Sequence, residues 1–452
     1  MVARGFQNVV GGVTRWVVSG AVVAGAVLSA TAGVGVAAAS SSPEAPSQQA
    51  ALTADSAEGV LNGPTSPDER CSKPAPNADL HDCDLTFLRD ALADANLTRA
   101  NLTRANLTGM SLRETILVDA NLSDAKLDGA ILYHTNLNGA NLTGAKATGA
   151  NLTGANLAGA NLAGATLTGA TLTNAKATGA NLTGANLTNA KAFGANLASA
   201  TLESANLTDA NMTSTNFESA NLTYGNLRRT NLEGANLFGA VLTDAELPAL
   251  NLRTTNLNNA NLSGANLTGA DLTGVGLQAN LTRAFLNDAQ MSNADLHGAD
   301  LSGAYLAGAN LAGANLSGTN LTHADLRALD GAHTNLTGAK LRDANLTDAD
   351  LTGVNLTHTD LTSATLNAAV LNEADLDYAN LGYATLIKTN LTHAKLTHSN
   401  LNHSDATGAN LAGANLTGAN GGDVTMVNAD LSGTIWYDGH TCATQGSIGR
   451  CG

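Results

Sequence analysis

From residue 95 to residue 438 the chain repeats one five-residue phrase, Ala-Asn-Leu-Thr-Gly with variations, about 69 times, and a period of five excludes both ordinary secondary structures. On an α-helix each Leu would be turned roughly 140° from the last, so no apolar face would form. The Gly and Asn of most phrases would each cost roughly 0.5 to 1 kcal/mol against Ala in a helix interior. On a flat strand successive Leu side chains would point to opposite faces, because five is odd. Each phrase therefore contains a bend. In Ala150-Asn151-Leu152-Thr153-Gly154, strand alternation sets Ala150 and Leu152 on one side and Asn151 on the other, and Thr153-Gly154 supplies the turn. Bends of one hand make a coil with Ala and Leu inside, and stacked coils pair their backbone N–H and C=O groups. The product is a solenoid.

Runs such as ANLTGANLAGANLAG, residues 150–164, resemble the pentapeptide-repeat proteins, whose phrase is A(D/N)LXX. The resemblance covers roughly three quarters of the chain and implies an all-β fold, a right-handed quadrilateral parallel β-helix with four phrases per coil. Periodicity alone supplies neither the hand nor the four sides. Four phrases per turn make about 17 coils, which at roughly 4.8 Å each form a rod on the order of 80 Å long. Val275-Gly276-Leu277-Gln278 is one residue short, so the solenoid is expected as two halves, residues 95–278 and 279–438, with an irregular coil between them. Gly331 and Gly421 stand in central slots where Leu is expected, which reads as core gaps or backbone bulges. Ala147, Ala177 and Ala192 also replace the central Leu, each after a Lys; repeat decay is one explanation and a hollow holding an ion or ligand the other.

The ends carry the cysteines. Cys71 and Cys83 fall in an N-terminal cap, residues 71–94, and Cys442 and Cys451 in a C-terminal cap, residues 439–452. Of the three possible pairings the two local ones are expected, because a rigid rod holds its ends apart. A four-cysteine zinc site fails on the same separation and on spacing. Trp436 fills a central slot in the last phrase, where a large side chain can plug the core. The tail from Trp436 to Cys451 resembles the closing segment of secreted bacterial members of the family.

Arg4 and Arg15 precede an apolar stretch without charge that reaches Ala39, which reads as a signal peptide, residues 1–39, cleaved after Ala37-Ala38-Ala39; an uncleaved membrane anchor is the other reading. Residues 40–70, rich in Ser, Pro, Ala and Gln, read as a disordered linker. The expected location is secreted or on the extracellular side of the cell envelope.

Net charge is −15, unevenly placed. Residues 95–278 hold eleven acids against ten bases, and residues 279–438 sixteen acids against six bases. Asp295, Asp300, Asp325, Asp350, Asp360 and Asp375 fall in the outward Asn/Asp slot, where acids ordinarily solvate a face. The family resemblance adds a sharper reading, since some cytoplasmic members mimic duplex DNA and bind type II topoisomerases. Export opposes it, and so does density: duplex DNA carries a charge per roughly 1.7 Å, against about −10 over roughly 40 Å here. No basic patch with interleaved aromatics supports direct nucleic-acid binding.

His393, His398 and His403 lie one phrase apart, hence on successive corners that point away from each other. Glu373 and His393, one coil apart, make a closer pair, but two exposed ligands are a weak metal site. No His lies beside a nucleophile in a local catalytic signature, and a Leu-filled solenoid leaves no pocket; neither catalytic residues, nor a metal, nor a cofactor are assigned. The Asn-Leu-Thr sequons are by-products of the phrase. Its outward Thr residues raise a third possibility, binding to an ordered lattice such as ice or a polysaccharide, with Ala158, Phe193 and Arg228 interrupting the rows. The expected function is thus a non-catalytic structural or binding rod that faces a protein or envelope component. A topoisomerase-binding DNA mimic and a lattice binder are its alternatives. Membrane association is expected only through an uncleaved signal segment, and the rod ends offer a route to a homodimer.

Overall fold

The computed structural model describes residues 67–327, 334–443 and 451, all within the second of two compact units, Asn62–Gly452. The stretch read as a signal peptide, most of the stretch read as a linker, and Gly331 lie outside the described residues.

The unit is a right-handed quadrilateral β-helix. Parallel bridges join each outward Asn/Asp slot to the same slot of the next coil, mostly twenty residues on, as in Asn121↔Asn141, Lys126↔Lys146, Ile131↔Asn151 and Asn136↔Asn156. These four ladders define the four sides, called faces 1 to 4 in that order. Inside, the central Leu residues and the preceding Ala residues are almost completely buried. Where Thr replaces that Ala, its hydroxyl donates to a backbone carbonyl, either one coil back, as Thr115 does to Leu92 (2.6 Å) and Thr135 to Leu112 (2.6 Å), or within its own turn, as Thr319 does to Leu316 (2.8 Å) and Thr359 to Leu356 (2.7 Å), so no hydroxyl is stranded at these sites.

The corners are turns. The N–H of the next phrase's first residue donates to the central carbonyl, as Ala155 does to Leu152 at 3.0 Å, and the fifth residue has positive φ, the pattern of a type II turn. Glycine is not required there: Asp119, Arg104, His398 and Tyr378 adopt φ of 55–57° in that slot. Left-handed backbone costs such residues roughly 1 to 2 kcal/mol each, which ladder bonds on both sides offset. No β-branched residue is among them. Thr254, at such a corner, does not adopt it; no bridge joins Asn231 to Asn251 beside it, and the Gly234 N–H donates to the Thr254 hydroxyl instead (3.0 Å).

The cap coil spans twenty-two residues, Asp79↔Asn101 and Asp84↔Asn106, and within the repeats two coils depart from twenty. At Gly276 the register shortens to nineteen, Asn261↔Asn280 and Gly276↔Asp295, where Val275-Gly276-Leu277-Gln278 lacks its corner residue and the Ala279 N–H closes a tighter turn on the Leu277 carbonyl (2.9 Å). Around residue 331 the register lengthens to twenty-five, Asn310↔Asn335 and Asp325↔Asp350. One phrase is therefore added there without a step in the ladder. Ala147, Ala177 and Ala192 stay buried, and Ala147 and Leu172 keep 3% of their surface accessible, where most of the core has none. This is the mark of small voids beside missing Leu side chains.

Both ends are closed. A short helix, Pro67–Cys71, begins inside the stretch expected to be linker. Arg70 holds it, donating to the His81 carbonyl (2.9 Å) while Cys71 is bonded to Cys83. The segment is part of the cap because its guanidinium finds a fixed acceptor. At the other end Thr441 pairs antiparallel with Ile435, the Trp436 N–H donates to the His440 carbonyl (2.7 Å) and the Cys442 N–H to the Thr434 carbonyl (2.8 Å), and Cys442 is bonded to Cys451. The returning strand covers backbone groups that an open last coil would expose.

Trp436 is not the sole plug. Tyr437 turns inward and its ring tip fills the space that a side chain at Gly421 would need, so the glycine gap is occupied rather than bulged. Among the described residues the Tyr437 hydroxyl has no hydrogen-bond partner, and burial pushes its pKa up to about 12. A raised folded pKa means that stability is full while both states keep the proton. It is lost as pH rises from the unfolded value of about 10 toward 12, by about 2 kcal/mol at pH 11.5. Urea denaturation at pH 9 and pH 11.5 should show this loss in the wild type beyond that in Tyr437→Phe; equal losses would mean that the hydroxyl is solvated.

Candidate binding surface

The fold places functional groups on four flat faces and four corners and leaves the interior apolar. Asp300 lies on the ladder of face 1, Asp325 and Asp350 on face 2, Asp375 on face 3, and Asp295 and Asp360 on face 4. The acids are dispersed around the rod, and Asn residues separate several of them. The Asn315 amide donates to Asp295 (2.9 Å) and Asn320 to Asp300 (3.0 Å). Partial burial alone pushes the Asp295 carboxyl up, but bonds from His297 and Asn315 hold it below its ordinary range. Asp360 behaves alike, with Thr362 and Arg342 as its partners. Such carboxylates stay ionised and solvated by amides.

The histidines occupy successive corners and stack rather than chelate. Tyr378 lies between His358 and His398 with ring centroids 5.1 and 4.7 Å away, and Tyr383 lies 4.8 Å from His403. His393 does not pair with Glu373: its ring lies over Gly413 on the following coil, where the missing side chain leaves room. Among the described residues His440, Cys442 and Cys451 come together, but both sulfurs belong to the terminal disulfide and are spent as ligands.

The corner-to-corner geometry also sorts the outward Thr residues, which the repeated phrase conceals. The interruptions Ala158, Phe193 and Arg228 fall on faces 4, 3 and 2. None falls on face 1. At the nineteen-residue coil a notch of about 510 Å³ opens beside face 1, lined by Asn259, Asn261, Gln278, Asn280, His297 and Asp300. Gln278 bonds His297 there (3.2 Å), and His297 bonds Asp295 (2.8 Å). Sequence reading located the short phrase but not the notch, since nothing in the four letters tells which side chains a missing corner brings together.

A family model described as pentapeptide repeats matches successive stretches from residue 95 to residue 435. Similar solved structures include HetL, a pentapeptide repeat protein involved in heterocyst differentiation regulation from the cyanobacterium Nostoc, at 32% identity over 58% of this chain and 91% of that one, TM-score 0.23. QnrB1, a plasmid-mediated fluoroquinolone resistance protein, is 22% identical over 40% of this chain and 85% of its own, TM-score 0.32. A pentapeptide repeat protein of the Arabidopsis thaliana thylakoid lumen is 28% identical over 28% of this chain and 70% of its own, TM-score 0.15. No curated protein matches.

Proposed function

The chain belongs to the pentapeptide-repeat family, and from that premise we infer that it is an exported, non-catalytic rod whose outward Asn, Thr and Asp slots engage a protein or envelope component outside the cytoplasm. The observation that carries this reading is the pair of disulfides, one closing each end and leaving no free cysteine. Such bonds persist in oxidising compartments. The charge-free apolar stretch up to Ala39 behind Arg4 and Arg15 agrees with export. Against catalysis stand the filled core and the spacing of polar groups, which repeat one per coil instead of converging. The family itself is generally structural or binding.

Fractionation of the native host, with N-terminal sequencing and a non-reducing thiol count, tests the reading. A medium or wall fraction that starts near Ser40 without free thiols is expected. A cytoplasmic product that carries Met1 or free thiols would overturn export and return the topoisomerase-binding alternative to the front. For that alternative Asp350 and Asp360 are the residues to neutralise in a supercoiling assay.

A further inference from the structure

On face 1, the slot after the central Leu holds, coil by coil from residue 103 to residue 347, Thr103, Ser123, Thr143, Ala163, Thr183, Glu203, Thr223, Thr243, Ser263, Thr282, Ser302, Thr322 and Thr347, eleven hydroxyls in thirteen positions. Over the same coils faces 2 and 3 each hold seven Ser or Thr residues and face 4 holds three. The ladder slot of face 1 is Asn in ten of these thirteen coils. Side chains on this face are preset. Thr143 donates to the Asn141 amide oxygen (2.6 Å), Thr183 to Asn181 (2.7 Å) and Thr223 to Asn221 (2.6 Å). Asn141 and Asn181 each donate to the Asn of the coil before (3.0 Å). An Asn amide has two hydrogens and a hydroxyl oxygen two lone pairs. After these internal bonds each Asn-Thr pair keeps an amide hydrogen and acceptor capacity for an outside partner, at a repeat of roughly 4.8 Å.

The surface is also close to neutral. Asp300 and Glu203 are the charged residues in its two rows, and the corners beside its third to sixth coils are Gly or Ser, as at Gly139, Gly144, Gly159, Gly164, Gly179 and Gly184, while charged corners of both signs, such as Arg104, Asp124, Asp244 and Arg283, flank others. A polyanion or polycation finds no complementary charge here. Both rows lack aromatic rings and Tyr224, at the corner after Thr223, is an exposed ring beside them, so a short sugar has little to stack on. Affinity must come from many weak contacts held at once. The notch at the short coil interrupts the array with more of the same chemistry, the amides of Asn259, Gln278 and Asn280 beside Asp300.

We propose that face 1 binds a neutral, hydroxyl-rich polysaccharide laid along the rod, with its hydroxyls bridging successive Asn-Thr pairs and the notch as an anchor. The proposal rests on the exported reading for its setting and on the face alone for its chemistry. Ice offers hydroxyl-like groups too, but much of the Thr hydrogen on this face is committed to Asn oxygens, and the array mixes amide donors with acceptors, as a sugar diol requires.

The test is co-sedimentation of the purified full chain with insoluble cellulose, chitin and an α-glucan, with an anionic glycan and ice adsorption as comparisons. Thr143→Arg/Thr183→Arg/Thr223→Arg places three cations across face 1. Thr148→Arg/Thr188→Arg/Thr268→Arg places the same three across face 2. The wild type and the face 2 variant should bind at least one neutral polymer, the face 1 variant at least tenfold less, and short oligomers should compete poorly. No retention on any neutral polymer, equal loss in both variants, or adsorption to ice alone would overturn the proposal. Retention by a protein that fractionates to the cytoplasm would remove the export reading and leave this one standing.

Discussion

Phe217→Ala is expected to destabilise the rod by about 3 to 5 kcal/mol, the range for emptying a buried aromatic site. Phe217 is the largest fully buried side chain and sits in the central slot of face 4, where its neighbours in the stack are Leu197 and Leu237. Its coil also carries Met212, and the two bulky residues follow the coil in which Ala192 replaces Leu. The Lys191↔Asn211 bridge puts Met212, unbranched and of about Leu's volume, in register over Ala192. Emptying Phe217 adds a second underfilled slot next to this one. A solenoid coil touches only its two neighbours, so a weak coil in the middle uncouples the two sides. Two urea transitions should replace one, and amides near Ala200 and Ala220 should exchange faster while those near either cap do not. The reciprocal change, Ala177→Leu, fills a slot that most other coils give to Leu and should gain about 1 to 2 kcal/mol after side-chain entropy is deducted. A single transition in Phe217→Ala, or a loss of stability in Ala177→Leu, would show that the voids have collapsed.

What could be read from the phrase and what could not divide along physical lines. Leu152 and Ala150 point inward because a five-residue bend leaves them nowhere else to go, and the whole interior follows from that. The caps followed from their cysteines, Cys71–Cys83 and Cys442–Cys451, but the parts played by Arg70 and Tyr437 did not, because they act through contacts that occur once. Arg70 lies in a Ser- and Pro-rich stretch that composition assigns to a linker, yet an acceptor at His81 fixes it. Tyr437 occupies a slot that elsewhere points outward, and turns inward because Gly421 leaves space on the preceding coil. Face assignment was hidden for another reason. Adding twenty finds the neighbour of Asn141, but the nineteen-residue coil at Gly276 and the twenty-five-residue coil around residue 331 shift every later position. Ala158, Phe193 and Arg228 precede both shifts and look like breaks in one hydroxyl row only because the phrase is the same on every side, whereas the ladders put them on three other faces. Corner residues were only half legible. Gly154 announces a positive φ, but Arg104 and Tyr378 accept the same backbone, so the turn belongs to the coil geometry more than to the glycine.

Removing the terminal disulfide by Cys442→Ser/Cys451→Ser should weaken the C-terminal end by about 3 kcal/mol in the loop-entropy account, and the loss should stay at that end. The bond closes a sequence separation of 9 around the strand that returns over Ile435. Without it, the tail must hold by the bonds from Trp436 to His440, from Cys442 to Thr434 and, at 3.4 Å, from Gly433 to Ala443, of which the second now comes from a serine backbone and survives. Each such bond contributes about 1 kcal/mol net, too little to fix eight or more residues against roughly 1 to 2 kcal/mol of backbone entropy apiece. The tail should then detach, expose the last ladder at Thr425, Asp430 and Ile435, and allow Tyr437 to leave the space beside Gly421. Because stability in a stacked array is a sum of neighbour terms, fraying is steep only near the end. Hydrogen exchange should therefore rise by about two orders of magnitude for amides beyond Asn410, since 1.4 kcal/mol is a factor of ten, and remain unchanged between Asn121 and Asn261. The freed edge is also a pairing site, so sedimentation at increasing concentration should reveal end-to-end dimers that the intact protein does not form. Uniform acceleration along the whole rod would mean that the coils fold as one cooperative block, and the picture of independent neighbours would have to be abandoned.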